Sequence, residues 1–208
     1  MRGRSKISSR HQPNLRKTVA NAGSEYNKVQ SGDQCYGELG MSLSLDLSAA
    51  LSPLVGQTFI PPHALTVSDG SGVTLSIDLI AVESLGVSCE ELRLDVPQLN
   101  NSNVNTLKKW AKDLCQRVTY LLENLGPLEY DAQGNEVLIR STPPDKTLVG
   151  TTNYYEVMLT SQGAGRFSLR RYRYDSVSQT RIAVPLKLTH EQLSKLVNDL
   201  VVTLPATP

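Results

Sequence analysis

Two segments in the second half of the chain alternate between apolar and polar positions, and five small or polar residues separate them. The segments are residues 152–160 (TNYYEVMLT) and 166–174 (RFSLRRYRY), and the stretch between them is SQGAG. A period of two is typical of half-buried β-strands, so we expect an antiparallel hairpin with one buried face. The register that places apolar residues together gives the pairs Leu159–Phe167, Val157–Leu169 and, on the opposite side, an ion pair Glu156–Arg170.

The polar side of this hairpin is the most suggestive candidate for a binding site. With DSVS (175–178) as the next loop, a further strand at 180–187 would place Leu169 opposite Val184. Pro185 lacks an N–H group, which favours an edge strand. One cross-strand row would then hold Tyr154, Tyr172 and Arg181, the next would hold Glu156, Arg170 and Ala183, and Tyr174 and Arg140 would extend the patch.

Guanidinium groups beside tyrosine rings suit the binding of anions and stacking on bases or aromatic side chains. We therefore expect Tyr154, Arg170, Tyr172 and Arg181 to form a basic and aromatic binding face. The alternative is an ordinary solvated sheet face, on which arginine and tyrosine are common cross-strand neighbours.

Two helical patterns flank the remaining strands of this half. Apolar residues recur at helical spacing over residues 104–125, where Asn103 or Asn105 would cap the start and Gly126 followed by Pro127 would end the helix. Two shorter strands are expected at 128–131 and 136–141. Thr189 and Gln192 match a capping box that opens a closing helix. Helix, antiparallel meander and helix would thus follow one another, and both helices would cover one face of the sheet.

The first half of the chain carries a repeated strand-like pattern with an aspartate in each copy. The copies lie at 41–47, 73–79 and 92–96, and residues 52–72 between them are rich in proline and glycine, which favours a loop. Asp46, Asp78 and Asp95 would each point away from the apolar side. Clustered carboxylates bind divalent metals, but strand alternation alone also produces this pattern.

Charge is distributed unevenly, although the net charge is only +1. Residues 1–17 carry six basic and no acidic residues, and residues 18–103 carry two basic residues against ten acidic ones. We expect residues 1–37 to be a disordered basic tail. Its six basic residues could bind nucleic acid or an acidic protein surface, and the alternative is an ordinary solvated segment without a partner. A hydrophobic fraction of 39% together with 14 glycines is that of a globular chain, which excludes whole-chain disorder, collagen and coiled coil.

The cysteines and the hydropathy pattern narrow the class of protein further. Three cysteines lie far apart without CxxC spacing, which argues against a disulfide framework or a zinc site and favours a reducing cytoplasm. The sequence contains no apolar run long enough for a transmembrane helix. No cofactor motif and no nucleophile–base signature is present, so we expect no cofactor and no catalytic residues.

These observations predict an α+β fold in which residues 38–208 form one domain after the tail. A β-rich acidic lobe (38–99) would be followed by a helix–antiparallel β-meander–helix lobe (103–204). The favoured function is a non-enzymatic interaction module whose basic–aromatic face holds an anionic or acidic partner. The alternatives are a structural protein that assembles through edge strands, and a metal-dependent enzyme using Asp46, Asp78 and Asp95. The sequence does not indicate the oligomeric state.

Overall fold

The computed structural model describes residue 40 and residues 42–142 and 150–205. The predicted tail at 1–37 lies outside these residues. A first helix, α1, covers residues 42–51. The remaining elements are β1 (Gln57–Ser68), β2 (Thr74–Val82), β3 (Gly86–Val96), α2 (Val104–Arg117), β4 (Leu125–Asp131), β5 (Glu136–Ser141), β6 (Thr151–Thr160), β7 (Gly165–Asp175), β8 (Thr180–Val184), β9 (Leu186–Thr189) and α3 (His190–Val202).

The fold is α+β, and strands from both halves of the chain belong to one sheet. Its order among the described residues is β1-β2-β3-β7-β6-β5-β4, and every described strand pair is antiparallel. β3 and β7 pair only where residues 92–96 meet residues 165–169. Beyond that point the two strands separate, and β8 pairs with β7 while β9 pairs with β3. The sheet therefore forks, with Pro185 between the two inserted strands.

Apolar side chains from one face of this sheet form a core with the helices. The rings of Trp110 in α2 and Phe167 in β7 lie 6.3 Å apart, and α3 contributes Leu193, Leu196 and Leu200. The indole N–H of Trp110 donates to the Thr203 hydroxyl, which satisfies a polar atom that burial would otherwise leave unpaired. The opposite face, here called the outer face, carries the polar residues of the alternating strands.

The strand predicted at 41–47 is wrong, because this segment lies in α1. Leu43, Leu47 and Leu51 recur every four residues and are buried, whereas Leu45 is 66% exposed. The apolar residues within 41–47 are spaced in a way that fits both the period of two of a strand and the period of a helix. Only the continuation to Leu51 shows that the helical stripe is the one that packs.

Two other boundaries also differ from the prediction. Residues 57–68 form β1 rather than a loop, and Pro61 and Pro62 lie where the β1–β2 register shifts, between Thr58 and His63. An edge strand tolerates prolines because the missing N–H groups need not pair. The helix predicted to reach residue 125 ends at Arg117, although Val118 and Leu121 remain buried in the irregular chain that follows.

Both predicted helix caps are confirmed, and the hairpin registers are confirmed in part. Asn103 and the Thr189–Gln192 capping box open α2 and α3. Leu159 faces Phe167, and Val157 faces Leu169, as predicted. The register of β7 with the next strand is off by two residues, because Asp175 pairs with Thr180 and the turn is therefore 176–179 rather than the predicted 175–178. A shift of two residues keeps every side chain on its predicted face.

Candidate interaction surface on the outer face of the sheet

The outer face carries a tyrosine pair that two arginines flank. The Tyr154 and Tyr172 rings stack with centroids 5.9 Å apart and planes inclined by 28°. The Arg181 guanidinium carbon lies 3.6 Å from the centre of the Tyr172 ring and 5.9 Å from that of Tyr154. The Arg140 guanidinium carbon lies 5.5 Å from the centre of the Tyr154 ring. The arrangement is typical of cation–π contacts, which hold a guanidinium in a defined orientation.

Glu156 fixes both of these arginines. Arg140 Nε donates to Glu156 Oε2 at 2.9 Å, and Arg181 Nη2 donates to Oε1 at 2.6 Å. One carboxylate thus neutralises one of two positive charges, and each guanidinium is oriented both by its ion pair and by a tyrosine ring. This cluster of Arg140, Glu156, Arg181, Tyr154 and Tyr172 is called the arginine–tyrosine cluster below.

A second charge network lies next to the cluster on the same face, centred on Glu91. Arg170 Nη2 and Arg93 Nη1 both donate to Glu91 Oε2, at 2.6 Å and 2.7 Å. Arg93 also binds both carboxylate oxygens of Asp78. Further along β3, Arg166 pairs with Asp95. The ion pairs of these two networks and of Arg166 with Asp95 thus join five arginines to four carboxylates.

The position of Glu91 results from an irregularity in the β2–β3 pairing. Ile77 pairs with Leu92 and Leu79 pairs with Cys89, so β3 has two residues where β2 has only Asp78. Such bulges redirect a side chain. Here the bulge places the Glu91 carboxylate, 7% exposed, between two guanidinium groups.

These environments shift several pKa values in directions that preserve the charges. Burial alone would raise the pKa of Glu91, but the hydrogen bonds and charges of Arg170 and Arg93 outweigh burial and lower it. The hydrogen bond to Glu91 raises the pKa of Arg170. Partial burial raises the pKa of Tyr154 even though Arg181 and Arg140 act to lower it. At neutral pH Glu91 is therefore ionised, Arg170 is charged and the Tyr154 phenol is protonated.

The structure brings three of the four predicted site residues together and places the fourth one row away. Tyr154, Tyr172 and Arg181 are in contact, although Arg181 lies opposite Tyr174 in the ladder rather than opposite Tyr172. Arg170 lies opposite Glu156, as predicted, but the expected ion pair between them is replaced by Arg170–Glu91. Glu156 instead accepts hydrogen bonds from Arg140 in β5 and Arg181 in β8.

The Glu91 network was missed by sequence reasoning, because its members come from separate halves of the chain. The only local signal is the doublet Glu90–Glu91, which interrupts the alternation in GVSCEELRLDV. An extra residue in an alternating strand indicates a bulge. The pairing of β3 with β7, which delivers Arg170, has no local signal.

The three aspartates of the repeated pattern do not all lie on one face of the sheet. Asp46 lies exposed on α1, whereas Asp78 and Asp95 lie on the outer face in ion pairs with Arg93 and Arg166. Among the residues that the structure describes, no group of three or more histidine, cysteine, aspartate or glutamate side chains is placed to hold a metal ion.

The predicted edge strand at 180–187 is divided at Pro185 into β8 and β9. Each of the two pairs with a different strand of the fork. Ile182 in β8 is 53% exposed. Assembly through this strand stays a prediction.

Comparison of the chain with protein-family models, with curated proteins and with solved structures found no match. None of the helices within the described ranges has the length and apolar character that crossing a membrane requires. The outer face itself is therefore the basis for inferring a function.

Proposed function

We propose that the chain is a non-enzymatic interaction module whose outer face binds an acidic segment of a partner protein. The observation that carries this proposal is the sharing of Glu156 by Arg140 and Arg181. In their hydrogen bonds to described residues, Arg140 uses only Nε and Arg181 only Nη2. A guanidinium has five N–H donors, so both groups keep donors for a further carboxylate.

Preorganisation supports the same proposal. Arg181 is held against Tyr172 and Glu156 before any partner arrives, so less side-chain freedom is lost on binding than with a solvated arginine. Tyrosine and arginine are also the residue types that contribute most to protein interfaces. The face thus combines anchored cations with rigid aromatic surface.

The charge balance favours a peptide over a nucleic acid. Each of the five arginines named above is already paired with a carboxylate, so little of their positive charge is left unbalanced. Binding to a phosphate backbone draws its affinity from several neutralised phosphates, which requires many unpaired cations. A short acidic peptide needs only the remaining donors of two arginines.

The test measures anisotropy of a fluorescein-labelled polyglutamate peptide and of a labelled single-stranded oligonucleotide over a series of salt concentrations. The informative variant is Arg170→Ala with Arg181→Ala, because Arg93 still neutralises Glu91 and Arg140 still neutralises Glu156. We expect this variant to bind the peptide about tenfold more weakly than the unmodified protein.

The matched control is Lys109→Ala with Lys112→Ala, which removes the same charge from exposed positions on α2. It should bind as the unmodified protein does. Absence of peptide binding at low salt, or equal weakening in both double variants, would contradict the proposal. Tighter binding of the oligonucleotide would assign the face to nucleic acid, and a dimer detected by light scattering without peptide would favour assembly through β8.

A further inference from the structure

A depression opens beside the arginine–tyrosine cluster and shares Arg140 and Tyr154 with it. It has a volume of about 370 Å³ and is lined by Arg140, Ser141, Thr152, Tyr154 and Tyr174. Thr152 pairs with Tyr174 across β6 and β7, and Tyr154 lies two residues further along β6. Two tyrosines on adjacent strands therefore form aromatic walls, and Arg140 stands at the side that leads to Glu156.

The size of the depression limits what it can hold. Pockets for complete small ligands are commonly about 300–1,000 Å³, so this one is at the lower end. It suits one aromatic side chain, which would lie against the tyrosine walls in offset or edge-to-face contact. Tyr174 is already half-exposed in the free protein, so an incoming ring would cover apolar surface that water now contacts.

Charge complementarity sets what must lie next to that ring. Arg140 lines the depression and also belongs to the arginine–tyrosine cluster, where Arg181 shares Glu156 with it. A carboxylate adjacent to the anchored ring would meet guanidinium donors at the rim. If basic residues flanked the bound aromatic side chain instead, the guanidinium groups of Arg140 and Arg181 would repel them.

We infer that the partner segment is an acidic peptide with one aromatic anchor residue, whose ring occupies the depression between Tyr154 and Tyr174. Its flanking carboxylates bind Arg140 and Arg181. This inference rests on the proposed function and specifies the partner that the same face selects. Specificity then comes from the aromatic residue, because the acidic residues alone supply a salt-sensitive attraction.

The experiment compares two labelled peptides of alternating glutamate and glycine, one with a central tryptophan and one with alanine at that position. The unmodified protein should bind the tryptophan peptide about tenfold more tightly. The Tyr174→Ala variant should lose this preference and bind the alanine peptide with unchanged affinity. The control variant Tyr130→Ala removes an exposed tyrosine of β4 that does not line the depression, and it should keep the preference.

The outcomes separate this inference from the function on which it rests. Equal binding of both peptides by the unmodified protein would overturn the anchor while leaving the acidic partner in place. A preference that survives in Tyr174→Ala would also overturn it, because the ring would then bind elsewhere. Absence of binding by either peptide would overturn the proposed function itself.

Discussion

Arg171 and Glu123 form an ion pair with 2.9 Å between Nη2 and Oε1, although 48 residues separate them in the chain. Their side chains are 11% and 5% exposed. Arg171 also donates to the Tyr155 hydroxyl and lies 4.6 Å from the centre of that ring. A guanidinium on the buried side of β7 needs an acidic partner, which Glu123 provides, and the pair connects the chain after α2 to the centre of the sheet.

Loss of one partner of this pair should destabilise the fold. Glu123→Gln keeps the shape of a nearly buried side chain but removes the charge that Arg171 binds, so we expect the free energy of unfolding to fall by about 2 kcal/mol. Urea denaturation at neutral pH measures the change. Glu129→Gln removes an exposed carboxylate and should change the free energy by less than about 0.5 kcal/mol. A loss no larger than this control would show that the charge of Glu123 contributes little to stability.

The Glu91 network should make stability depend on pH in the acid range. The folded-state pKa of Glu91 is lowered, so its ionised form contributes stability above the ordinary carboxyl pKa, and this contribution disappears as the pH falls through the lowered value. Glu91→Gln should cost about 2 kcal/mol at pH 7, and the difference from the unmodified protein should shrink on acidification. Thermal unfolding across pH 2–7 tests this, with the exposed neighbour in Glu90→Gln as control. A difference that stays constant with pH would contradict the role of the ionised carboxylate.

Neighbouring leucines in α1 should respond differently to truncation. Leu47 is 1% exposed and Leu45 is 66% exposed. We expect Leu47→Ala to lower the free energy of unfolding by about 3 kcal/mol, and Leu45→Ala to change it by less than about 0.5 kcal/mol. Chemical denaturation of both variants distinguishes the helix from a strand, in which both leucines would lie on one face. Equal losses would favour the strand.

The junction between β3 and β7 has no space for a side chain at Gly165. A Cβ atom there would overlap Leu99 Cβ and lie 2.7 Å from the Val96 carbonyl oxygen. Gly165→Ala should therefore lower the free energy of unfolding by about 1–3 kcal/mol. Gly70→Ala faces open space and provides the control in the same denaturation assay. A neutral Gly165→Ala would show that this junction is looser than described.

Hairpins and caps were the most predictable parts of the fold, because their determinants are adjacent in the chain. The β6–β7 register follows from apolar pairs on either side of a short loop, and the face that each residue occupies follows from the period of two. For this reason the sequence pattern assigns Tyr154, Tyr172 and Arg181 to one face correctly, although it places Arg181 opposite Tyr172 and the structure places it opposite Tyr174.

The sequence by itself determined the α+β class, the N-terminal helix caps and the outward orientation of Tyr154, Tyr172 and Arg181, since each of these depends on residues within one element or one hairpin. Only the tertiary structure decided which strands meet. The pairing of β3 with β7 is made between distant segments, and that pairing occupies the half of β7 that contains Leu169 and brings Glu91 to Arg170. Long-range strand pairing depends on how the whole core packs, and no local pattern of residues encodes it.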